Sequence, residues 1–551
     1  MSIAAESRFS DRVDVRLVEV DAVVTDQRGR PVSGLGRDDF ELLIDGRPLA
    51  IESFEAVGES SSSASPEEVR PLHLAIYVDG SNLDPGRRRD VLSALKSFLS
   101  ERLGPRDRVL LAASDRFSQR SLQPFTDRPE PIAAALDLIA AMPVQERRAR
   151  EFREILRGID RLATSGSDAT EATVRGQAHI LMARIRADAA EAVGDAARAT
   201  DNLRRLVDAV AGLDGLKAVL YVGGGLVLNP GGILGDALNQ VAISSASSLG
   251  TDNPRADVQA WGFDDLSDRF HDLARHASGH RVAFYVLDAG DRGGSRGFGP
   301  VSGGAEVGAG ASRGRDDAWA PGVSVSQRLD FDAPLRLLAE ETGGRAALDG
   351  RDDGAALERL RGDVRSFYAL AAELPDGAAG SGRIEVRVRG KRLRVSHRKT
   401  WRLLDADDQA RVRVRSALFA DFPDPALEFG LAAGDPCPIE GGRWAVTVTV
   451  DVPVDKLAVV ADRSRHRGQL SIFIASSDGG LATAPVHKAV LPVHLSNQEI
   501  LGAMGRDLVY RFEVQLEGGG TVAVGVRDDF DPRLSIRTLD LDLGPQPEAA
   551  P

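Results

Sequence analysis

Between residues 70 and 362, short apolar runs alternate with amphipathic helical segments, and this alternation narrows the possible folds more than any other feature. Residues 72–78 are apolar except for His73, which suits a strand buried on both faces of a parallel sheet. Asp84-Pro85 then supplies a helix N-cap and a proline at the first helical position. Val91, Leu92, Leu95, Phe98, Leu99 and Leu103 follow on one helical stripe. Residues 108–113, 217–222 and 282–288 repeat the strand pattern, with helical periods between them. Such a succession predicts a doubly wound, Rossmann-like sheet with helices on both faces over residues 70–362.

Two stretches inside this region break the rhythm. Residues 145–200 carry helical spacing only, as in Ile155, Ile159 and Leu162, so they read as a helical insertion. It either packs on the domain or forms a partner-binding arm. Residues 289–328 are rich in Gly, Ser and Arg and read as a mobile loop, with the next helix starting at Asp332 and Pro334.

The flanks alternate with period two instead. Residues 11–58 hold three or so strands, with a hairpin signal at Asp45-Gly46 before the last, which runs through Leu49 and Ile51 to Phe54. That is a fragment of a sandwich, and strands expected over 363–402 are candidates to complete it. The α/β domain would then be an insertion in a β domain. A Ser-rich linker occupies 59–69. Residues 403–545 read as all β, with about seven short strands such as 444–450, 470–474 and 509–514, so a second sandwich is expected.

Composition bounds the function. The chain has 551 residues and a formal net charge of −13, with a pI near 5.3. A basic nucleic-acid footprint and affinity for anionic lipid are both disfavoured. The single cysteine, Cys437, rules out an intrachain disulfide and a Cys-rich zinc site. No run reaches the ~20 apolar residues that span a bilayer. The opening residues lack a basic and apolar leader, which leaves open a cytoplasmic protein or one whose signal peptide was removed.

Catalytic signatures are hard to find. His271, His276 and His280 form the sole histidine cluster, but their first spacing is five and no Glu follows His271, unlike a zinc peptidase helix. There is no serine nucleophile elbow, and Cys437 has no catalytic context. Gly223-Gly224-Gly225 lacks the Gly-Lys-Ser/Thr ending of a phosphate loop. In an open α/β sheet ligands bind beyond the carboxyl ends of the strands. The segment at that edge after the first strand is Asp79-Gly80-Ser81-Asn82-Leu83.

At this point the chain resembles the von Willebrand factor A-related family abundant in acidobacteria. The matching blocks are residues 18–26, Gly34-Leu35-Gly36-Arg37-Asp38-Asp39-Phe40, Tyr77-Val78-Asp79-Gly80-Ser81-Asn82-Leu83, Ala339-Glu340-Glu341-Thr342-Gly343-Gly344-Arg345 and Arg365-Ser366-Phe367-Tyr368. Each is weak alone, but the five occur in order across residues 13–402. The resemblance implies a multidomain α/β plus all-β protein, with a von Willebrand A domain inserted in or flanked by β-sandwich domains. It also implies export to the periplasm or the medium.

Such domains often carry a metal-ion-dependent adhesion site, Asp-x-Ser-x-Ser with a later Thr and a later Asp. A hard divalent cation wants about six oxygen ligands, and these residues supply most of them. Asp79 and Ser81 match as candidate metal ligands. Leu83 stands where the second Ser would be, and Gly223 where the later Asp is expected. Thr200 and Thr126 are both open as the Thr. The expectation is a degenerate site with no cofactor, or with weakly bound Mg²⁺ or Ca²⁺. Gly80, Asn82, Gly223 and Gly224 would face a protein partner. The implied function is non-enzymatic adhesion or protein binding. A structural subunit of a larger assembly is the alternative, and a hydrolase with an unrecognised site the remote one.

Overall fold

A computed structural model describes residues 16–58, 70–80, 83–102, 104–114, 119–142, 147–164, 171–232, 234–238, 241, 264–290, 320–348, 352–375, 378, 380–390, 392–422, 427–462, 465–502 and 505–544. In β1 (Leu17–Thr25) the first residues alternate between exposed and buried, with Val18 and Val20 inward. β2 (Phe40–Ile44), β3 (Arg47–Leu49) and β4 (Ser53–Val57) follow. The β2–β3 turn holds Asp45 at φ 51° and Gly46 at φ 77°. Both residue types tolerate that left-handed conformation.

The chain then enters a second layer system. Its strands are β5 (Leu72–Asp79), β6 (Arg108–Ser114), β7 (Gln119–Thr126), β8 (Leu216–Gly223), β9 (Val282–Asp288) and β10 (Ala346–Ala347). They form one six-stranded sheet in the order β10-β9-β8-β5-β6-β7. All neighbours are parallel except β6 and β7. Numbered within this unit the order is 3-2-1-4-5-6, so the winding reverses between β5 and β8.

Helices cover both faces. α1 (Pro85–Arg102) and α2 (Pro129–Ala141) lie on one side, joined by α7 (Asp353–Arg365). Leu95, Leu99, Ile132, Leu136, Leu357 and Leu360 meet Leu74, Ile76 and Val78 there. On the other side α4 (Glu171–Ala211), α5 (Ser267–Gly279) and α6 (Ala320–Thr342) set Leu203, Leu206, Phe270, Leu273 and Leu338 against Tyr77, Tyr221 and Phe284. α3 (Arg147–Thr164) packs on the first half of α4 through Ile155, Ile159, Leu181 and Ile185.

After the α/β unit come β11 (Phe367–Glu373), β12 (Ser381–Val388), β13 (Arg394–Ser396) and β14 (Thr400–Arg402). They pair with the opening strands in two sheets, β13-β1-β11-β4 and β14-β12-β2-β3. The residues between them are Val20, Leu42, Leu370, Ile384 and Trp401. The α/β unit thus lies between two strands, β4 and β11, that are hydrogen-bonded to each other.

The last part opens with α8 (Ala406–Ser416) and continues through β15 (Gly430–Ala433), β16 (Cys437–Ile439), β17 (Arg443–Pro453), β18 (Val460–Asp462), β19 (Arg465–Ser477), β20 (His487–Ser496), α9 (Asn497–Gly502), β21 (Asp507–Leu516), β22 (Gly520–Asp528) and β23 (Asp531–Leu541). β15, β16, β17 and β21 form one sheet, and β18, β19, β20, β22 and β23 the other. Val446, Val448, Ile472, Val522 and Val524 fill the space between them.

Three expectations need correction. Residues 320–328, expected in the mobile loop, are the first turns of α6; Pro334, expected to start that helix, lies inside it. A proline removes one i→i−4 hydrogen bond but leaves the turns before it intact. The stretch 403–545 is not all β, because α8 precedes the sandwich. Residue 200 is not an element boundary either. α4 runs unbroken from 171 to 211, so one helix serves both the insertion and the main core.

Candidate binding crevice at the carboxyl edge of the sheet

Parallel strands bring their carboxyl ends to one edge, and the strand register fixes which residues meet there. Asp79 ends β5 beside Ser114 of β6, and Gly223 ends β8 beside Asp288 of β9. The winding reverses between β5 and β8, and in open sheets of this kind ligands bind at the carboxyl edge beside such a reversal.

Asp79 is 2 % exposed. The Tyr221 hydroxyl donates to its Oδ2 at 2.9 Å and stands 3.2 Å from the Gly225 carbonyl. Burial, and then the Asp79 charge, push the Tyr221 phenol well above its ordinary pKa, so it is a fixed donor. A second tyrosine lies alongside, with ring centroids 6.0 Å apart. Tyr77 donates to Ser114 Oγ at 2.7 Å and accepts from Asn202 Nδ2 of α4 at 3.1 Å.

Backbone fills much of what remains. A Cβ on Gly223 would lie 2.7 Å from the Tyr221 hydroxyl and 3.0 Å from Asp79 Cβ. One on Gly80 would lie 2.5 Å from the Ser114 carbonyl oxygen, whose hydrogen bond Gly80 N makes at 3.0 Å. Gly is required where backbones approach this closely. Ala289 N donates to Gly223 O, and Gly290 packs directly on Gly224.

Asp288 is also buried, and its Oδ1 accepts from Gly290 N at 2.8 Å. Asp84 caps α1 by accepting from Arg87 N, while Arg87 Nη2 reaches Asp353 at 2.8 Å and the Asp288 carbonyl at 3.2 Å.

These positions revise the expected site. Leu83, in the place of a second hydroxyl ligand, is 6 % exposed and belongs to the core beneath α1. Gly223 is buried and presents no face to a partner; Gly80 and Gly224 are half-buried. Ser81 and Asn82 lie outside the described residues. Thr126 pairs with Val109, which sits beside Leu74, so it belongs to the opposite, amino edge of the parallel strands. The Thr200 hydroxyl donates to Ala196 and Ala197 carbonyls of its own helix.

A hard cation does not fit the donors described. No group of three His, Cys, Asp or Glu suited to a metal ion occurs among the described residues. One Asp79 oxygen already accepts a phenol hydrogen, and neither Leu83 nor Gly223 brings a side-chain oxygen to this edge. The histidines are likewise engaged. His271 Nδ1 lies 2.8 Å from the Ser267 carbonyl, and His276 Nε2 2.7 Å from Asp208 Oδ1, with the His280 ring against it at 4.7 Å.

Tyr221 and Asp288 were missed in the sequence. A tyrosine in an otherwise aliphatic buried strand needs a hydrogen-bond partner, and a strand ending in Asp places a carboxylate at the binding edge. Both signals were available. A separate open cavity of about 750 Å³ lies in the C-terminal sandwich, lined by Phe422, Phe429 and the carboxylates Asp421, Glu428, Asp451 and Asp507. Among the described residues no histidine, serine or cysteine lines it.

No family model matches the chain. No curated protein matches it. Among solved structures, the three N-terminal domains of the type V pili tip protein Mfa5 from Porphyromonas gingivalis align over 93% of this chain and 78% of that one, at 9% identity and a TM-score of 0.25. A β-glucosidase from Listeria innocua aligns over 89% and 48%, at 10% identity and a TM-score of 0.14. At these scores the alignments carry no argument about fold or function.

Proposed function

We propose that this is a non-enzymatic protein-binding protein of the von Willebrand A-related type, whose α/β unit receives a partner at the carboxyl edge without a bridging metal. The 3-2-1-4-5-6 strand order with one antiparallel edge strand supports the domain type. The observation that carries the binding reading is the Asp79–Tyr221 hydrogen bond. The carboxylate that would hold an adhesion cation is buried and satisfied from within, so the edge offers glycine-lined backbone and the half-buried Gly80 and Gly224 instead. Periplasmic or extracellular placement belongs to the same proposal. Among the described residues no helix is long and apolar enough to cross a membrane.

A photo-crosslinking residue at Asn229, exposed on the loop after β8, tests this in the source cell. The expected result is a discrete crosslinked protein that persists in excess chelator. A crosslink abolished by chelator, or none against a surface control, contradicts it.

A further inference from the structure

β21 is paired on one side only. Its register with β17 runs unbroken from Asp507↔Pro453 to Leu516↔Trp444. No described strand pairs with its other edge. Along that edge the core is unfinished. Val514 and Leu516 are 7% and 1% exposed, whereas Leu508, Tyr510 and Phe512 of the same inward row are only half-buried. Tyr510 and Phe512 stack on each other with centroids 6.0 Å apart.

Edge strands usually carry a device against pairing: a proline, a lysine, a bulge or a cover. β20, the edge of the facing sheet, has Pro492. β23 lies against β15. β21 has ten residues with no proline, lysine or bulge.

We propose that β21 pairs antiparallel with β21 of a second copy of this chain, about a two-fold axis at Phe512. Pairing must keep inward side chains inward, which restricts the axis to single-residue centres. Centring on Arg511 or on Glu513 would set that charge against its own copy at the axis, whereas centring on Phe512 leaves like charges facing only at the strand ends, Asp507 against the partner's Glu517. Centring on Phe512 sets Arg511 opposite the partner's Glu513, and Glu513 opposite the partner's Arg511. On the inward row the same register opposes Tyr510 to the partner's Val514 and Leu508 to the partner's Leu516, completing the open flank of both cores. Both charged residues are exposed. An isologous contact of this kind closes on itself as a dimer.

The test is sedimentation velocity of the full chain up to roughly 100 µM. Wild type sediments as a dimer at the upper concentrations. Arg511→Glu and Glu513→Arg each replace two attractive cross-strand pairs by two repulsive ones, and each weakens association by about tenfold. An equimolar mixture of the two variants regains it, because every Glu then faces an Arg; so does the double swap. Wild type that stays monomeric overturns the proposal. So do single variants that dimerise like wild type, or a mixture that gains nothing. Neither side chain is buried, so circular dichroism of each variant matches wild type.

Discussion

Tyr221 holds Asp79 from a position 142 residues away. The sequence marks Asp79 as a candidate ligand through Asp79-Gly80-Ser81, but the side chain that satisfies it is invisible without the β5–β8 pairing. Removing that phenol leaves a buried carboxylate short of a donor, which costs about 1–3 kcal/mol. Tyr221→Phe is therefore expected to lower stability by that amount in urea unfolding, and an unchanged midpoint would contradict it. His280 makes a second prediction. Burial first, and then the neighbouring His276, lower its pKa from 6.5 to about 3, with Asp208, Lys217 and Arg402 the other charged groups around it. His397 is lowered to about 4, by burial and then Lys399. The native state keeps these rings neutral while the unfolded chain takes up protons below 6.5. Stability is thus full above pH 6.5 and falls as the pH drops toward 3. His280→Gln removes part of that slope in urea midpoints followed against pH, and a slope unchanged from wild type would contradict the assignment.

Periodic elements were readable where one face is buried against a layer. The stripe from Val91 to Leu99 lies in α1, and the period-two run near residue 20 is β1. α8 escaped that reading because only Ala410, Val414 and Ser416 of its eleven residues are buried. Its signal lay in the caps: Asp405 accepts from Asp408 N, Asp407 and Asp408 occupy the first turn, and Arg413 and Arg415 the last. Opposed charges of this kind suit the helix dipole. Asp405→Ala is expected to cost about 0.5–2 kcal/mol, read as a shift in the urea midpoint. The helix joins two units. Val414 enters the core over Phe473 and Ala523, while Arg415 reaches Asp208 of α4 at 3.1 Å and Ser416 Oγ accepts from Gly212 N. On its outer end Arg527 and Lys488 converge on Asp407.

Across the molecule the strand patterns at either end of the α/β unit could be read locally, but not their pairing, because contacts such as Leu370↔Phe54 and Val386↔Leu42 join residues more than three hundred positions apart. Such pairing makes the first sandwich depend on both segments. A chain ending at Arg365 lacks β11 and β12, and so leaves β1, β2 and β4 without their central partners. Limited proteolysis of that truncation is expected to degrade residues 17–57 while protecting the α/β unit, and resistance of 17–57 would contradict the arrangement. Ion pairs from Arg281 to Glu19 and Asp21, with Arg398 donating to the Ser278 carbonyl, fasten the sandwich to the α/β unit. At the carboxyl ends of β5 and β8, Asp79 accepts from Tyr221, and the proposed binding mode dispenses with a cation there. Calorimetric titration of the full chain with Mg²⁺, Ca²⁺ and Mn²⁺, with Asp79→Ala beside it, tests this most directly. No saturable heat is expected for either protein; saturable binding to wild type that vanishes in Asp79→Ala would overturn the metal-free reading.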